Sequence, residues 1–398
     1  MARAATLPVA VAIWFVGAVL LWRTKVPGGL HLPSLDERAI FGASVVRRAE
    51  HFDRFFYVEW LLSTVASIAV LVWMARRGPR VAASLRLGRV NTGIVLGAVT
   101  LTAVWAVSVP FQVASNWWQR RYGISTQSYE SVLSASWGTM LGTVLFGFLL
   151  LAFFLGLAQK LGGRWWLVAA PALVAISAVV QLVIPYALTN GSHALHDRRL
   201  AAEIRQLERL EGAGRPKVLV QTMSDQTTAA NAYSVGYGPS RRIVFWDTLL
   251  DGRFGTREVR FVAAHELAHL ARDHILKAIG WFTLFAVPIL GAAAYVTERR
   301  GGLRNPATVP LALLVIILAQ LAARPLESAI SRRYEAEADW VALNATRDPV
   351  AARGLFKRFA TTSLEDPAPP WWAHVLLDDH PTVLTRIEQA AAWKRLNP

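Results

Sequence analysis

The 398-residue sequence contains no cysteine. Disulfides and thiolate metal sites are therefore excluded, and any metal must be held by histidine and carboxylate. Charge is scarce as well. Only 17% of residues are Asp, Glu, Lys or Arg, where a soluble globular domain has about a quarter. Acidic residues are fewer than basic ones, 27 against 42, which leaves a net charge of +15. In a soluble chain that excess would raise nucleic acid as a partner. Here the basic residues collect in short loops beside apolar runs, and no basic stretch is interleaved with aromatics on a polar segment. Nucleic acid is therefore not expected as a partner, and the lipid bilayer is. The sequence also lacks internal repeats and low-complexity linkers.

Apolar sequence is plentiful, at 54% of the chain. Seven nearly uncharged runs have the composition of transmembrane helices: 7–22, 57–75, 92–111, 140–158, 165–188, 279–296 and 309–323. The first follows Arg3 as the apolar core of a signal peptide would. No small-residue cleavage site comes after it, only Trp22, Arg23 and Lys25, so it reads as a retained helix. The fifth contains Pro171 and Pro185, which neighbouring helices can accommodate in a bilayer. Of the 16 tryptophans, Trp117, Trp118, Trp165, Trp166 and Trp281 sit at or near run ends, where indole rings favour the interface.

The expected architecture is mainly α: a polytopic membrane protein of about seven transmembrane helices carrying an α+β domain. It divides into a membrane region of five spans (1–188), a polar segment (189–278), two further spans (279–323) and a second polar segment (324–398). In the first polar segment, 196–211 has a charged helical pattern and 217–222 reads as a strand. The extended stretches 231–238 and 241–246 flank Gly-Pro-Ser as in a hairpin. Residues 256–279 read as one helix running on into the sixth span.

That helix carries the sharpest motif, His265-Glu266-Leu-Ala-His269. Histidines four apart share a helical face, so both imidazoles reach one ion. Zinc would lower the pKa of an attacking water, and Glu266 would take its proton as general base. A catalytic zinc needs a third protein ligand. His274 lies nine residues after His265, half a turn out of phase on a continuous helix, and so faces away as a helix-end or supporting residue. The arrangement with a third histidine ten residues after the first needs a glycine where Arg272 stands, and is rejected. No acid occurs between Asp273 and Glu298. The next strong candidates are in Ser331-Arg-Arg-Tyr-Glu335-Ala-Glu337-Ala-Asp339-Trp, where Glu335 and Asp339 share a face and Glu337 points elsewhere. One of the two can bind the metal while the other hydrogen-bonds a ligand histidine. Two spans separate His269 from Glu335, which puts both on one side of the membrane. Glu298 follows only one span and falls on the other side.

These motifs, followed by Asp379-His380-Pro381-Thr382 and Arg386, resemble the membrane zinc metalloproteases of the CAAX prenyl protease 1 and HtpX group. Asn231-Ala232, Arg242-Ile243-Val244 and Asp247-Thr248-Leu249-Leu250 also match that group. The resemblance is strong from about residue 196 to 398. Before that, the seven runs, Val109-Pro-Phe and Tyr122-Gly-Ile look more like the prenyl protease branch. The resemblance implies one zinc ion held by His265, His269 and Glu335 in a zincin-like domain. It implies that Asp339 supports a ligand, that His380 hydrogen-bonds the substrate or the developing oxyanion, and that Arg386 supports the site. Asn231 and Ala232 would lie on an edge strand that pairs with the substrate backbone. In the prenyl protease branch the helices surround a large water-filled chamber. Departures are mild: Thr382 stands where serine is frequent, and Glu337 where glutamine is frequent.

The implied activity is a membrane zinc endopeptidase. Its substrates would be C-terminal peptides, prenylated or not, or membrane and misfolded proteins. A catalytically silent receptor on the same fold is disfavoured by the intact Glu266, and a transporter by spans nearly free of ionisable groups. Localisation in the cell membrane is expected. Short loops on the side opposite the motif carry about 11 Lys and Arg and those on its own side about eight, which favours an outward-facing catalytic segment. The resemblance implies a cytoplasmic one.

Overall fold

The computed structural model describes residues 2–85 and 87–398. Thirteen α-helices and four short strands follow one another among these residues. After α1 (Ala2–Leu21) and α2 (Glu37–Phe41) come α3 (Ala43–Ser84), α4 (Arg89–Arg121), α5 (Tyr129–Leu161) and α6 (Trp166–Leu188). The first polar segment holds β1 (His193–Ala194), α7 (Arg198–Glu211), β2 (Lys217–Gln221), β3 (Ala232–Val235), β4 (Arg242–Trp246) and α8 (Thr256–Ala271). Then come α9 (His274–Glu298), α10 (Val309–Thr346), α11 (Pro349–Thr362), α12 (Trp371–Leu376) and α13 (Val383–Leu396).

Six helices are long and apolar enough to cross a membrane, and α1 adds a shorter apolar stretch, Val11–Leu21. The protein is a multi-pass membrane protein with the mainly α architecture expected. Its helices outrun their apolar cores. The 42 residues of α3 span about 63 Å at 1.5 Å per residue, twice a hydrocarbon core of about 30 Å. The polar excess of α3 and α10 projects beyond the bilayer and builds the domain there. In the membrane, α4 and α5 approach closely at Gly93 and Gly97. A Cβ at these positions would sit 2.7 Å from Leu155 and 2.3 Å from Leu151. Between the helices lies an apolar cavity of about 540 Å³, lined by Phe154, Trp281, Phe285 and Ile316 among others.

Outside the membrane, the four strands form one sheet in the order β1-β2-β4-β3. β2 and β4 run parallel, with Val218 opposite Ile243. β3 and β4 are an antiparallel hairpin, with Ala232 opposite Phe245. The turn requires Gly236, whose φ is +82° and whose Cβ would lie 2.4 Å from the Ser240 carbonyl oxygen. β3 is thus an edge strand. One continuous core joins the sheet to both polar segments and to the residues before α3. It includes Phe41, Val46, Ile204, Phe245, Phe261, Leu267, Leu343, Phe356 and Trp393, all buried.

The continuous helix expected over 256–279 is not formed. α8 ends at Ala271, and Asp273 takes a left-handed conformation (φ 53°, ψ 38°) before α9 starts at His274. Successive carbonyls there cannot stay in register, so the chain turns between the motif and the sixth span.

Candidate metal centre and active site

α8 opens on a cap in which the Glu258 carboxylate accepts the Gly255 N–H at 2.8 Å. The helix then runs through the core, with small or apolar residues on the turns around the motif. Its periodicity brings His265 and His269 to one face, with their Nε2 atoms 3.1 Å apart. The polar end of α10 crosses α8 and delivers Glu335. Its Oε2 lies 3.1 Å from His265 Nε2, and its Oε1 lies 3.3 Å from His269 Nε2. One ligand atom from each of the three side chains lies within 4.8 Å of the other two.

The donor set fits a metal. Two imidazole nitrogens and a carboxylate are facing lone pairs, which repel unless something positive lies between them. Glu335 is 8% exposed. Its Oε2 is fully enclosed and makes no hydrogen bond, although two imidazole nitrogens are close. A buried anionic oxygen without a partner is costly, and a cation accounts for it. Burial alone would lower the His265 imidazole. The Asp339 and Glu335 carboxylates beside it outweigh burial and push it up to about 10.

The partners of the two imidazoles differ. His265 Nδ1 donates to Asp339 Oδ1 at 2.9 Å, and Arg386 on α13 grips both Asp339 oxygens at 2.7 Å. Burial works against the Arg386 charge, but Asp339 more than compensates and holds it firmly protonated. His269 Nδ1 instead faces His274 Nδ1 at 2.9 Å, and His274 Nε2 faces Glu337 Oε2 at 3.0 Å. Both residues are buried, Glu337 completely. This corrects the expectation that His274 faces away. The left-handed Asp273 turns it back toward His269. Arg272-Asp273 lacks the glycine or proline that would signal such a break, so only the helix periodicity was legible.

Glu266, 7% exposed, lines a small cavity of about 70 Å³ together with His265, Asn231, Ala232, His380 and Arg386. Asn231 and Ala232 stand at the start of edge strand β3. His380 reaches in from the loop before α13. Its Nε2 is 3.3 Å from Glu335 Oε2 and its Nδ1 is 2.7 Å from Asp379 Oδ1. Burial would lower the His380 imidazole, but Asp379 and Glu335 raise it. A wider cleft of about 510 Å³ adjoins, lined by Asp53, Tyr57, Glu365, Asp378 and His380. All nine residues singled out in the sequence thus lie in or directly beside one site.

Residues 194–394, just over half the chain, match Peptidase family M48. The chain belongs to peptidase family M48. An uncharacterized metalloprotease, YhfN of Bacillus subtilis, is 28% identical over 320 residues, covering 75% of this chain and 71% of YhfN. A Protease HtpX homolog from Methylibium petroleiphilum is 36% identical over 131 residues, covering 33% of this chain and 46% of that protein. The crystal structure of S. mikatae Ste24p superposes with a TM-score of 0.73 over 96% of both chains at 17% identity, which establishes a shared fold. The protein is a membrane metalloprotease of this family.

Proposed function

We propose that the chain is a zinc-dependent endopeptidase with one ion held by His265 Nε2, His269 Nε2 and Glu335. The observation that carries this reading is the convergence of those three ligand groups beside a cavity that Glu266 also lines. Zinc held there would polarise the scissile carbonyl and lower the pKa of the attacking water. Glu266 then takes the proton from that water and returns it to the leaving amine. His380, half exposed at the mouth of the site, donates a hydrogen bond to the developing oxyanion. Its raised affinity for protons supports that role. Arg386 is committed to Asp339 and acts through it. The free edge of β3 at Asn231 and Ala232 pairs with an extended substrate backbone. The two polar segments, 189–278 and 324–398, make up one protease unit, supported by their common core. We place this unit in the cytoplasm, as the HtpX resemblance implies.

The substrate is a peptide segment in extended form. C-terminal peptides, prenylated or not, and unfolded or membrane proteins all meet that requirement. The test is cleavage of a generic quenched peptide by detergent-purified protein beside Glu266→Gln, with zinc measured in both. Zinc in both with cleavage only by the parent is the expected result. Zinc without cleavage in the parent would favour a silent receptor on this fold. Absence of zinc from both would overturn the reading.

A further inference from the structure

His274 and Glu337 have no part in the chemistry above, yet both are buried beside a proposed ligand. The Nδ1 atoms of His269 and His274 are 2.9 Å apart, so one of them carries the shared hydrogen. Two arrangements satisfy that contact. In one, His274 Nδ1–H donates to His269. His269 then carries its own hydrogen on Nε2, aimed at His265 and Glu335, where it blocks a metal. His274 Nε2 would at the same time turn a lone pair toward a carboxylate oxygen 3.0 Å away. In the other arrangement, His274 Nε2–H donates to Glu337, and its Nδ1 accepts from His269 Nδ1–H. The lone pair of His269 Nε2 is then free for the metal.

Glu337 selects the second arrangement, because a carboxylate only accepts. It is itself fixed by further donors. The Lys25 backbone N–H reaches Oε1 at 2.8 Å, Arg272 Nε reaches Oε1 at 3.2 Å and Lys277 Nζ reaches Oε2 at 3.3 Å. The His274 ring is held flat against Tyr334, with centroids 4.7 Å apart and planes 14° apart. Tyr334 accepts from Trp281 Nε1 at 2.8 Å and donates to the Leu21 carbonyl at 2.7 Å. The left-handed turn at Asp273 is what lets a side chain of α9 meet one of α8.

We propose that His274 and Glu337 are positioning residues that fix His269 in the tautomer presenting Nε2 to the metal. The proposal rests on the metal reading above. It gives each ligand histidine its own support: Asp339 with Arg386 for His265, and His274 with Glu337 for His269. Carboxylates that orient a ligand histidine directly are a general device. Here a second imidazole stands between carboxylate and ligand.

The test uses the full chain in detergent, stripped of metal, and titrates zinc against a chelating dye. A parallel titration follows the visible spectrum of bound cobalt(II). His274→Phe keeps the stacking on Tyr334 but can neither accept nor donate. His274→Gln offers a carbonyl to His269 and an amide hydrogen to Glu337. His274→Phe and Glu337→Leu are each expected to weaken zinc about 10- to 100-fold. The double variant should be no weaker than His274→Phe alone, since both act along one path. His274→Gln should recover most of the loss, with a cobalt spectrum close to the parent's. Zinc bound by His274→Phe within twofold of the parent would overturn the proposal. So would a His274→Gln as weak as the Phe variant, which would mark a packing role. If Glu337→Leu does not fold, the two His274 variants decide alone. A parent that binds no zinc is a different failure, that of the metal reading itself.

Discussion

Arg386 and Asp339 form a buried, two-point ion pair, Nε to Oδ2 and Nη2 to Oδ1, and the same Oδ1 receives His265 Nδ1–H. The pair therefore joins α13 to α10 and sets the tautomer of His265 on α8. Asp339→Asn keeps the shape but removes the charge, and its amide can turn a donor toward Nδ1. Zinc affinity should fall about 10- to 100-fold by competition with a chelating dye. Arg386 would also be left buried without its counter-charge, a loss of about 3 kcal/mol or more in unfolding experiments. Unchanged zinc affinity in Asp339→Asn would show that His265 is oriented by something else.

The same carboxylates predict how metal binding depends on pH. With His265 raised to about 10 in the metal-free protein, zinc displaces a proton there at neutral pH. Apparent affinity should rise about tenfold per pH unit between pH 6 and 8, because one proton is exchanged for one ion. Zinc added to stripped protein in weak buffer should release that proton. Affinity that does not vary with pH would mean that the site binds metal with its imidazoles already neutral.

The chemistry was more legible in the sequence than the wiring behind it. A helix period of 3.6 fixes what His265 and His269 share, and the parity of two spans puts Glu335 and Asp339 on their side; the family resemblance then singled out Glu335 as the expected third ligand. The hairpin at Gly236 announced itself through Gly-Pro-Ser. His274 did not, because Asp273 enters the left-handed region without a glycine to mark it. Glu337 was then unreadable too, since its partners are the residues that this break brings around. Span limits were legible only for the apolar part. The helices continue for several turns as polar helix, and α10 runs without interruption from Val309 in the membrane to Asp339 at the site.

Glu211, at the end of α7, has both carboxyl oxygens buried without a hydrogen-bond partner. Burial pushes its carboxyl up to about 9, against a smaller opposing pull from His265. Between the ordinary carboxylate value and about 9, the folded protein keeps a proton that the unfolded chain has released. Stability therefore falls as pH rises through that window, at up to about 1.4 kcal/mol per unit. Glu211→Gln removes the effect. Parent and variant should unfold at similar temperatures near pH 5, and the variant should be the more stable by about 2 kcal/mol or more at pH 8. Parallel stability curves from pH 5 to pH 8 would show that Glu211 is ionised in the folded protein.

The absence of cysteine makes the orientation of the protease unit directly measurable. Single cysteines can be placed at exposed Thr222, in the first polar segment, and at exposed Arg300, across the membrane after α9. Basic residues in short loops favour the cytoplasmic side. They are slightly more numerous on the Arg300 side, about 11 against about eight, which opposes the cytoplasmic placement of the site. That count includes Arg38, Arg47, Arg48 and Arg54 on the site's own side, and all four precede the apolar part of α3, on helices that belong partly to the protease unit. Residues built into a folded unit are a weak guide to topology, but leaving these four out lowers the site's side to about four and widens the opposing excess. The loop charges and the resemblance therefore disagree, and labelling decides between them. Arg300→Cys should react with an impermeant maleimide on intact cells, and Thr222→Cys only after the membrane is opened. The reverse pattern would put the protease unit outside and limit its substrates to proteins met there.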